Sequence, residues 1–186
     1  MKRLFDIALA LIAAIFLILP IVVVAICVRL TSRGPALYWS DRVGQYNRIF
    51  KMPKFRSMRV DTPAVATHLL TDPNLYLTPI GPFLRKSSLD ELPQLWSILV
   101  GDMSFVGPRP ALFNQDDLIQ LREQVGVHAL VPGLTGWAQV NGRDELSIAE
   151  KVALDAAYLR RQSLWFDLQI LWITFLKVVR KDGVSH

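Results

Sequence analysis

The sequence predicts a mainly α-helical chain with one small β-hairpin and a membrane anchor near its N-terminus. Three observations support this prediction: an uncharged run over residues 7–28, helical periodicity in four later segments, and two short apolar runs flanking residues 44–47. The composition agrees, because 52% of the 186 residues are hydrophobic and only 20% are charged. Such a chain is too apolar to be disordered and unusually apolar for a soluble protein. We therefore expect part of it to contact lipid.

The uncharged run is long enough to be a membrane helix. Since a helix rises about 1.5 Å per residue, residues 7–28 can cross a hydrocarbon core of roughly 30 Å. A cleavable signal peptide is the alternative, but Pro20 interrupts the run and Arg29 and Arg33 close it. No convincing small-residue cleavage site accompanies it. A membrane helix is thus the favoured interpretation.

Pro20 predicts a kink in this helix, because proline lacks a backbone donor and its ring clashes with the carbonyl four residues earlier. Basic residues lie at both ends, with Lys2 and Arg3 before the run and Arg29 and Arg33 after it. The positive-inside preference favours the cytoplasm for both ends. A bent helix that enters and leaves by one face satisfies that preference. A straight span that tolerates its proline is the alternative, and the residues alone leave both open.

The remaining elements follow in order. The runs at residues 36–39 and 48–51 bracket Gly44 and Asn47, which can both take a positive φ, and so predict a β-hairpin. Residues 61–80 read as an irregular loop with at most one helical turn. Helices are predicted over residues 89–100, 114–126, 147–161 and 164–180. The last is rich in tryptophan and phenylalanine and has a basic end, which is typical of an amphipathic interfacial helix; a buried core helix is the alternative.

The charge and the cysteine count narrow the classes of partner. A formal net charge of +5 suits phospholipid headgroups, phosphorylated substrates or nucleic acid. No known nucleic-acid-binding motif occurs, so we expect no nucleic-acid partner. The single cysteine, Cys27, excludes an intrachain disulfide and any CxxC metal site.

Asp90 and Glu91 are adjacent carboxylates at the predicted start of a helix. A structural interpretation is available, because Ser88 and Glu91 match a capping box. A catalytic interpretation requires an anionic substrate and nearby cations that screen its charge. The chain supplies three basic groups around the pair, and a guanidinium fork matches phosphate oxygens. These groups are Lys54 with Arg56 and Arg59, Arg85 with Lys86, and Arg109 between two prolines.

A glycine-rich stretch over residues 132–143 ends in Arg143. Its glycines permit either close backbone approach to a ligand or a tight structural turn.

Taken together, these motifs resemble the bacterial sugar transferase family, whose members are monotopic phosphoglycosyl transferases. In chain order the matching motifs are KFRSM (54–58), SLDELPQL (88–95), GDMS (101–104), VGPRP (106–110), and PGLTG through NGR (132–143). The similarity runs from about residue 2 to residue 176, and the length resembles the small members that consist of the catalytic domain only. It implies a monotopic fold with a re-entrant helix over residues 1–30, broken at Pro20. Residues 31–186 would form a membrane-surface catalytic domain on the cytoplasmic face of the bacterial inner membrane.

The resemblance also implies a reaction. Members of the family transfer a sugar 1-phosphate from a UDP-sugar to a polyprenol phosphate, usually undecaprenyl phosphate, and release UMP; they require Mg²⁺. In family terms Asp90 is the nucleophile that forms a phosphosugar-aspartyl intermediate and would contact the metal, while Glu91 positions groups or assists proton transfer. The candidates to bind substrate phosphates are Lys54, Arg56, Arg85, Arg109 and Arg143. Asp155 resembles a further family acid, although a charge on a helix surface is its simplest interpretation.

Such a transferase would catalyse the first membrane step of bacterial glycoconjugate assembly. The alternative is a non-catalytic, membrane-anchored interaction module. In that module the basic residues contact anionic lipid, and Asp90 and Glu91 only cap a helix. No motif predicts which sugar is transferred or the oligomeric state.

Overall fold

The computed structural model describes residues 1–63, 72–142 and 145–180. The α-helices are α1 (Lys2–Thr31), α2 (Gly81–Ser87), α3 (Gln94–Val100), α4 (Asp116–Gln124), α5 (Trp137–Val140), α6 (Ile148–Arg161) and α7 (Leu164–Arg180). The strands are β1 (Leu37–Val43), β2 (Ile49–Phe55), β3 (Ser104–Val106) and β4 (Gly133–Thr135). Short 3₁₀ turns span Gln45–Asn47, Pro73–Tyr76, Leu89–Glu91 and Val127–Ala129. The chain is mainly helical, as predicted.

The predicted β-hairpin is confirmed, although its strands are longer than the apolar runs. β1 pairs antiparallel with β2 through all seven residues of each strand. In the connecting turn Tyr46 and Asn47 take positive φ angles of 55° and 58°. Of the two residues that can take a positive φ, Asn47 does so, whereas Gly44 has a φ of −100°. Gly44 is needed for space instead, because a Cβ there would lie 3.1 Å from the Arg48 carbonyl oxygen.

Three of the four predicted later helices are present within two residues of their expected ends, as α4, α6 and α7. The fourth, predicted over residues 89–100, is divided into the Leu89–Glu91 turn and α3. Pro93 stands between them and cannot donate a backbone hydrogen bond, which explains the break. The sequence did not predict α2 or the parallel pairing of β3 with β4. The Pro73–Tyr76 turn is the one helical turn found in the described part of the 61–80 loop.

Helix α1 is the one helix in the described ranges that is long and apolar enough to cross a membrane. It is continuous through Pro20, and a bend there stays a prediction. Both of its halves pack on the rest of the chain. Ala10 joins a core cluster that includes Ile98, and Val24 and Val28 join a second cluster. The opposite face is apolar and exposed; it includes Leu11, Ile12, Ile15, Phe16, Ile18, Leu19, Val22, Val23 and Ile26.

Buried polar contacts fix the N-terminal end of α1. The Lys2 Nζ lies 2.6 Å from an Asp167 carboxylate oxygen, and Asp167 also accepts a hydrogen bond from the Tyr158 hydroxyl at 2.6 Å. Asp6 accepts a hydrogen bond from the Ser104 hydroxyl at 3.0 Å. Because buried polar groups left without partners are costly, these bonds specify where the helix docks.

Helix α7 is amphipathic, as its sequence predicts. Phe166 and Ile170 are buried in the core, whereas Trp165, Trp172 and Phe175 are exposed. The core-helix interpretation is thus correct for one face of the helix, and an interfacial position for the other face stays a prediction. The exposed aromatic face has the composition of a surface that lies at a membrane interface.

Two glycines of the 132–143 stretch, Gly133 and Gly136, are explained by close packing against the backbone of Gly107. A Cβ on Gly133 would lie 2.1 Å from the Gly107 nitrogen, and a Cβ on Gly107 would lie 2.4 Å from the Val131 carbonyl oxygen. Gly107 donates a backbone hydrogen bond to Thr135, and Gly133 donates one to Pro108, each at 2.9 Å. This packing holds the loop at residues 107–110, which carries Arg109, against β4.

Gly107→Ala should therefore destabilise the protein, because the atoms that a methyl group would meet are backbone atoms that cannot rotate away. We expect the free energy of unfolding to fall by about 1–3 kcal/mol, with faster amide exchange at residues 104–110. Denaturation in detergent and hydrogen-exchange mass spectrometry measure both effects. Gly126→Ala is the matched control, because its φ is +79° but its added Cβ meets nothing closer than 3.7 Å. The backbone strain that Gly126→Ala introduces should not alter amide exchange at residues 104–110. A Gly107→Ala protein as stable as the wild type would contradict the packing argument.

Candidate active site

The two adjacent carboxylates lie in the short turn between α2 and α3. Ser88, which precedes the turn, has left-handed backbone angles of φ 55° and ψ 17°, and its side chain makes no capping hydrogen bond. The capping-box interpretation is therefore wrong. Leu89 and Leu92 pack against the cluster that contains Val24 and Val28 of α1. The turn thus connects the apolar packing on α1 with a charged site.

Glu91 is the centre of that site. One oxygen of its carboxylate lies 2.9 Å from the Lys54 Nζ and 2.9 Å from a guanidinium nitrogen of Arg109. Burial alone would raise the pKa of Glu91, but the charges and hydrogen bonds of Lys54 and Arg109 outweigh burial and hold that pKa well below its usual range. Glu91 is therefore an anion at neutral pH that holds two cations in place.

Asp90 has the opposite environment. It is only 8% exposed, and no described residue lies within hydrogen-bond or ion-pair distance of its carboxylate. Burial raises its pKa, the charge of Glu91 adds to this, and Lys54, Arg85 and Arg109 act against it. A carboxylate that is basic and not held by hydrogen bonds can attack an electrophile, provided that a cation screens the approaching charge.

Lys54 and Arg109 reach Glu91 from different parts of the fold. Lys54 lies in β2, where burial lowers its pKa and the neighbouring Glu91 charge opposes that effect. Arg109 lies in the loop after β3, and its carbonyl oxygen accepts a hydrogen bond from Arg122 at 2.8 Å. The structure therefore brings together four of the candidate residues: Lys54, Arg109, Asp90 and Glu91.

Arg85 lies in the last turn of α2, near enough to Asp90 for its charge to lower the pKa of that carboxyl group. Arg56 lies elsewhere. It is 4% exposed, and its guanidinium donates to the Ser32 carbonyl and hydroxyl oxygens at 3.1 and 2.8 Å, just beyond the C-terminal end of α1. A role for Arg56 in phosphate binding stays a prediction. Arg143 lies outside the described residues.

Asp155 is not a surface charge, so its simplest interpretation from sequence is wrong. It is 1% exposed and forms a two-nitrogen hydrogen bond with Arg122, at 3.0 and 2.6 Å. Burial raises the pKa of Asp155, and the Arg122 charge acts against this. Since Arg122 also donates to the carbonyl of Arg109, Asp155 supports the Arg109 loop from behind. It does not lie beside Asp90 and Glu91.

Sequence reasoning missed Arg42. It lies in β1, donates to the Ser40 hydroxyl at 3.0 Å and to the Pro110 carbonyl at 3.4 Å. The pKa of Arg42 is lowered to about 10, mainly by burial; the Arg109 charge also lowers it, and the Glu91 charge acts to raise it. The signal that could have identified Arg42 is the hairpin register, because alternate residues of paired strands share a face.

The residues of this site would fit a magnesium ion that also takes ligands from substrate phosphates. Among the described residues no group of three or more His, Cys, Asp or Glu side chains could hold an ion. Mg²⁺, however, is usually bound by one or two carboxylates together with substrate phosphates and water. The Asp90 carboxylate, which no described side chain engages, could supply such a ligand.

Comparison with known proteins identifies similar chains. The profile of the family described as bacterial sugar transferase matches residues 1–181. An uncharacterized sugar transferase of Bacillus subtilis (strain 168) is 40% identical over 100% of this chain and 91% of its own length. The UDP-glucose:undecaprenyl-phosphate glucose-1-phosphate transferase of Escherichia coli K12 is 40% identical over 95% of this chain, and the undecaprenyl-phosphate glucose phosphotransferase of Komagataeibacter xylinus is 39% identical over 96%. This chain spans only 40% and 36% of the length of the latter two.

The two carboxylates predict opposite effects on stability. Glu91→Gln should lower the free energy of unfolding at pH 7 by about 3 kcal/mol, because it removes the negative charge that Lys54 and Arg109 share in a partly buried site. Asp90→Asn should raise the free energy of unfolding at pH 7, because a carboxyl group with a raised pKa is ionised at a cost in the folded state. Chemical denaturation in detergent measures both.

The pH dependence follows from the signs of the shifts. The contribution of Glu91 to the free energy of unfolding is complete above the pKa of glutamate in the unfolded chain, near 4.5. It is lost as the pH falls towards the lower pKa that Glu91 has in the folded protein. The stability gap between the wild type and Glu91→Gln should thus be constant from pH 8 to 5 and narrow below about pH 4.5. A gap that widens in acid, or an Asp90→Asn protein less stable than the wild type at pH 7, would show that the electrostatic assignment is incorrect.

Proposed function

The chain belongs to the bacterial sugar transferase family, and we propose that it transfers a sugar 1-phosphate from a UDP-sugar to a polyprenol phosphate such as undecaprenyl phosphate, with release of UMP. The observation that carries the proposal is the contrast within the carboxylate pair. Glu91 binds Lys54 and Arg109, whereas the pKa of Asp90 is raised and its carboxylate forms no hydrogen bond or ion pair with a described side chain. The relatives named as undecaprenyl-phosphate transferases support the substrate classes.

The reaction proceeds in two displacements at one phosphorus atom. An Asp90 oxygen forms a bond to the β-phosphorus of the donor, and the bond from that phosphorus to the bridging oxygen breaks, so UMP leaves with the electron pair. An oxygen of the polyprenol phosphate then attacks the same phosphorus and the Asp90 carboxylate leaves. The product is a polyprenol diphosphate sugar. Because the steps are separate, a soluble donor and a lipid acceptor can use the site in turn.

The cations of the site stabilise the charge that develops on the phosphoryl oxygens. Lys54 and Arg109 are held by Glu91 beside Asp90, so little reorganisation is needed when the diphosphate binds. Mg²⁺ bound to Asp90 and to diphosphate oxygens would neutralise the charge that otherwise repels the nucleophile. Glu91 is well placed to orient both cations, and its low pKa makes it a poor proton donor.

The membrane supplies the acceptor. We propose that α1 is re-entrant, bent near Pro20, and that the protein is monotopic on the cytoplasmic face of the bacterial inner membrane. Packing of both halves of α1 on the same domain supports this, as does the fixed position of Lys2 at Asp167. The exposed aromatic face of α7 would then lie at headgroup depth, where basic residues nearby favour anionic phospholipids.

The nucleophile assignment predicts that purified protein mixed with a panel of UDP-sugars and Mg²⁺, without acceptor, gains the mass of one phosphosugar and releases an equal amount of UMP. Asp90→Asn should fold, gain no mass and release no UMP, because an amide nitrogen or oxygen cannot replace the carboxylate as nucleophile. Intact-protein mass spectrometry and UMP detection follow both. Asp41→Asn, at an exposed carboxylate on the outer face of the hairpin, is the control and should retain the reaction. Turnover by Asp90→Asn would refute the assignment.

The same experiment separates the transferase from its rival. A non-catalytic interaction module would show no UMP release with any donor, with or without undecaprenyl phosphate. Its Asp90→Asn form would differ from the wild type only in stability.

The re-entrant arrangement predicts that both ends of α1 are accessible from the cytoplasm. With Cys27 replaced by alanine, single cysteines at Lys2 and Arg33 should react with a membrane-impermeant maleimide in inside-out vesicles and stay unlabelled in intact cells. Labelling after solubilisation controls for reactivity. Labelling of the two positions from opposite sides of the membrane would require a straight span.

A further inference from the structure

Arg42 shares a face of the hairpin with Lys54. In the register of the hairpin Tyr38 lies opposite Lys54 and Arg42 lies opposite Phe50. Paired residues share one side of the hairpin, and so do alternate residues of a strand. Tyr38, Ser40 and Arg42 therefore lie on the side that carries Lys54. The other side carries the exposed ion pair between Lys51 and Asp41.

Arg42 is held rigidly beside the Arg109 loop. Its guanidinium donates to the Ser40 hydroxyl and the Pro110 carbonyl. Its backbone forms a β-bridge to Leu112, and the next residue donates to the Ala111 carbonyl at 3.0 Å. A guanidinium fixed at both its head and its backbone loses little freedom when it binds a ligand.

The charges around Arg42 indicate an anionic ligand. Within the described residues no carboxylate lies within ion-pair distance of Arg42. Glu91, whose charge acts on Arg42, already binds Lys54 and Arg109 through a single oxygen. Arg42 therefore adds to a partly buried site a positive charge that no described carboxylate pairs with, which is unfavourable unless a further anion enters. Phosphate oxygens match the geometry of a guanidinium.

The direction of β1 identifies which substrate supplies that phosphate. At its start Leu37 packs in the cluster that contains Val24 and Val28 of α1. At its end Val43 packs with the cluster of Ala111 and Leu118. At about 3.3 Å per residue, Arg42 lies roughly 16 Å along the strand from Leu37, away from the half of α1 that carries Val24 and Val28. A lipid acceptor that stays at the membrane surface would reach the site beside that half of α1, which leaves the outer end of the hairpin to a water-soluble nucleotide.

We propose that Arg42 binds the diphosphate of the nucleotide donor and does not bind the phosphate of the lipid acceptor. This inference rests on the proposed function. In this arrangement the outer end of the hairpin binds the donor, and residues nearer α1 bind the acceptor.

Steady-state kinetics with both substrates varied tests the inference. When the two displacements are separate, kcat/KM for each substrate reports its own half-reaction. Arg42→Gln should lower kcat/KM for the UDP-sugar about 10–100-fold and leave kcat/KM for undecaprenyl phosphate unchanged. Arg42→Lys, which keeps the positive charge but not the paired donors of the guanidinium, should lower kcat/KM for the UDP-sugar by a smaller factor. Ser40→Ala, which removes one orienting contact and barely perturbs packing, should show a smaller loss with the same donor selectivity.

A binding measurement without turnover provides a second readout. Calorimetry with UDP as the probe should show weaker binding to Arg42→Gln than to the wild type, with thermal unfolding confirming that the variant is folded. Lys51→Gln is the matched control, because Lys51 lies on the same hairpin, is 69% exposed and faces outwards. It should match the wild type in every measurement.

Several results would overturn the inference. These are an equal loss of both kcat/KM values, a loss confined to the acceptor, or unchanged UDP binding by Arg42→Gln. They differ from failure of the proposed function, in which the wild-type protein itself would release no UMP from any UDP-sugar.

Discussion

The contact of Glu91 with Lys54 and Arg109 is the interaction on which the site depends. It joins three segments that are distant in sequence: the β-hairpin, the turn between α2 and α3, and the loop after β3. A buried cation without an anion would be strongly destabilising, so each segment needs the others to place its charge. Glu91 meets this need, and Asp90 is left with its carboxylate available. Adjacent residues of one turn are thereby given different electrostatic roles.

The turn that carries the carboxylates also fixes where the charged site lies relative to α1. Leu89 and Leu92 pack with the second half of α1, while Asp90 and Glu91 face the cations. The two-sided turn therefore places the charged site directly against the most apolar element of the fold. A phosphate attached to a lipid can reach such a site without leaving the membrane surface, and a nucleotide can reach it from water. This geometry suits a reaction between a soluble donor and a lipid acceptor.

Buried polar networks behind the site hold its parts in position. Asp155 binds Arg122, which in turn binds the carbonyl of Arg109. On the other side Tyr158 donates to Asp167 and to the Val106 carbonyl, and Asp167 binds Lys2. Such networks are favourable only when each polar group has its hydrogen-bond partners, so they specify one arrangement of the loop at residues 107–110. Neither Asp155 nor Asp167 has a hydrogen bond or ion pair with Asp90 or Glu91; both acids hold their neighbours in position.

Local sequence patterns were sufficient to predict several features: the apolar α1, the hairpin, the amphipathic helices and the basic and acidic motifs. Periodicity and motif order depend only on neighbouring residues, which is why Asp90, Glu91, Lys54 and Arg109 could be identified as candidates. Only the tertiary structure decided their partners. The left-handed Ser88 excluded the capping box, burial converted Asp155 from a surface charge into a support, and strand register brought Arg42 to the site. These outcomes depend on contacts between distant segments, which no local pattern encodes.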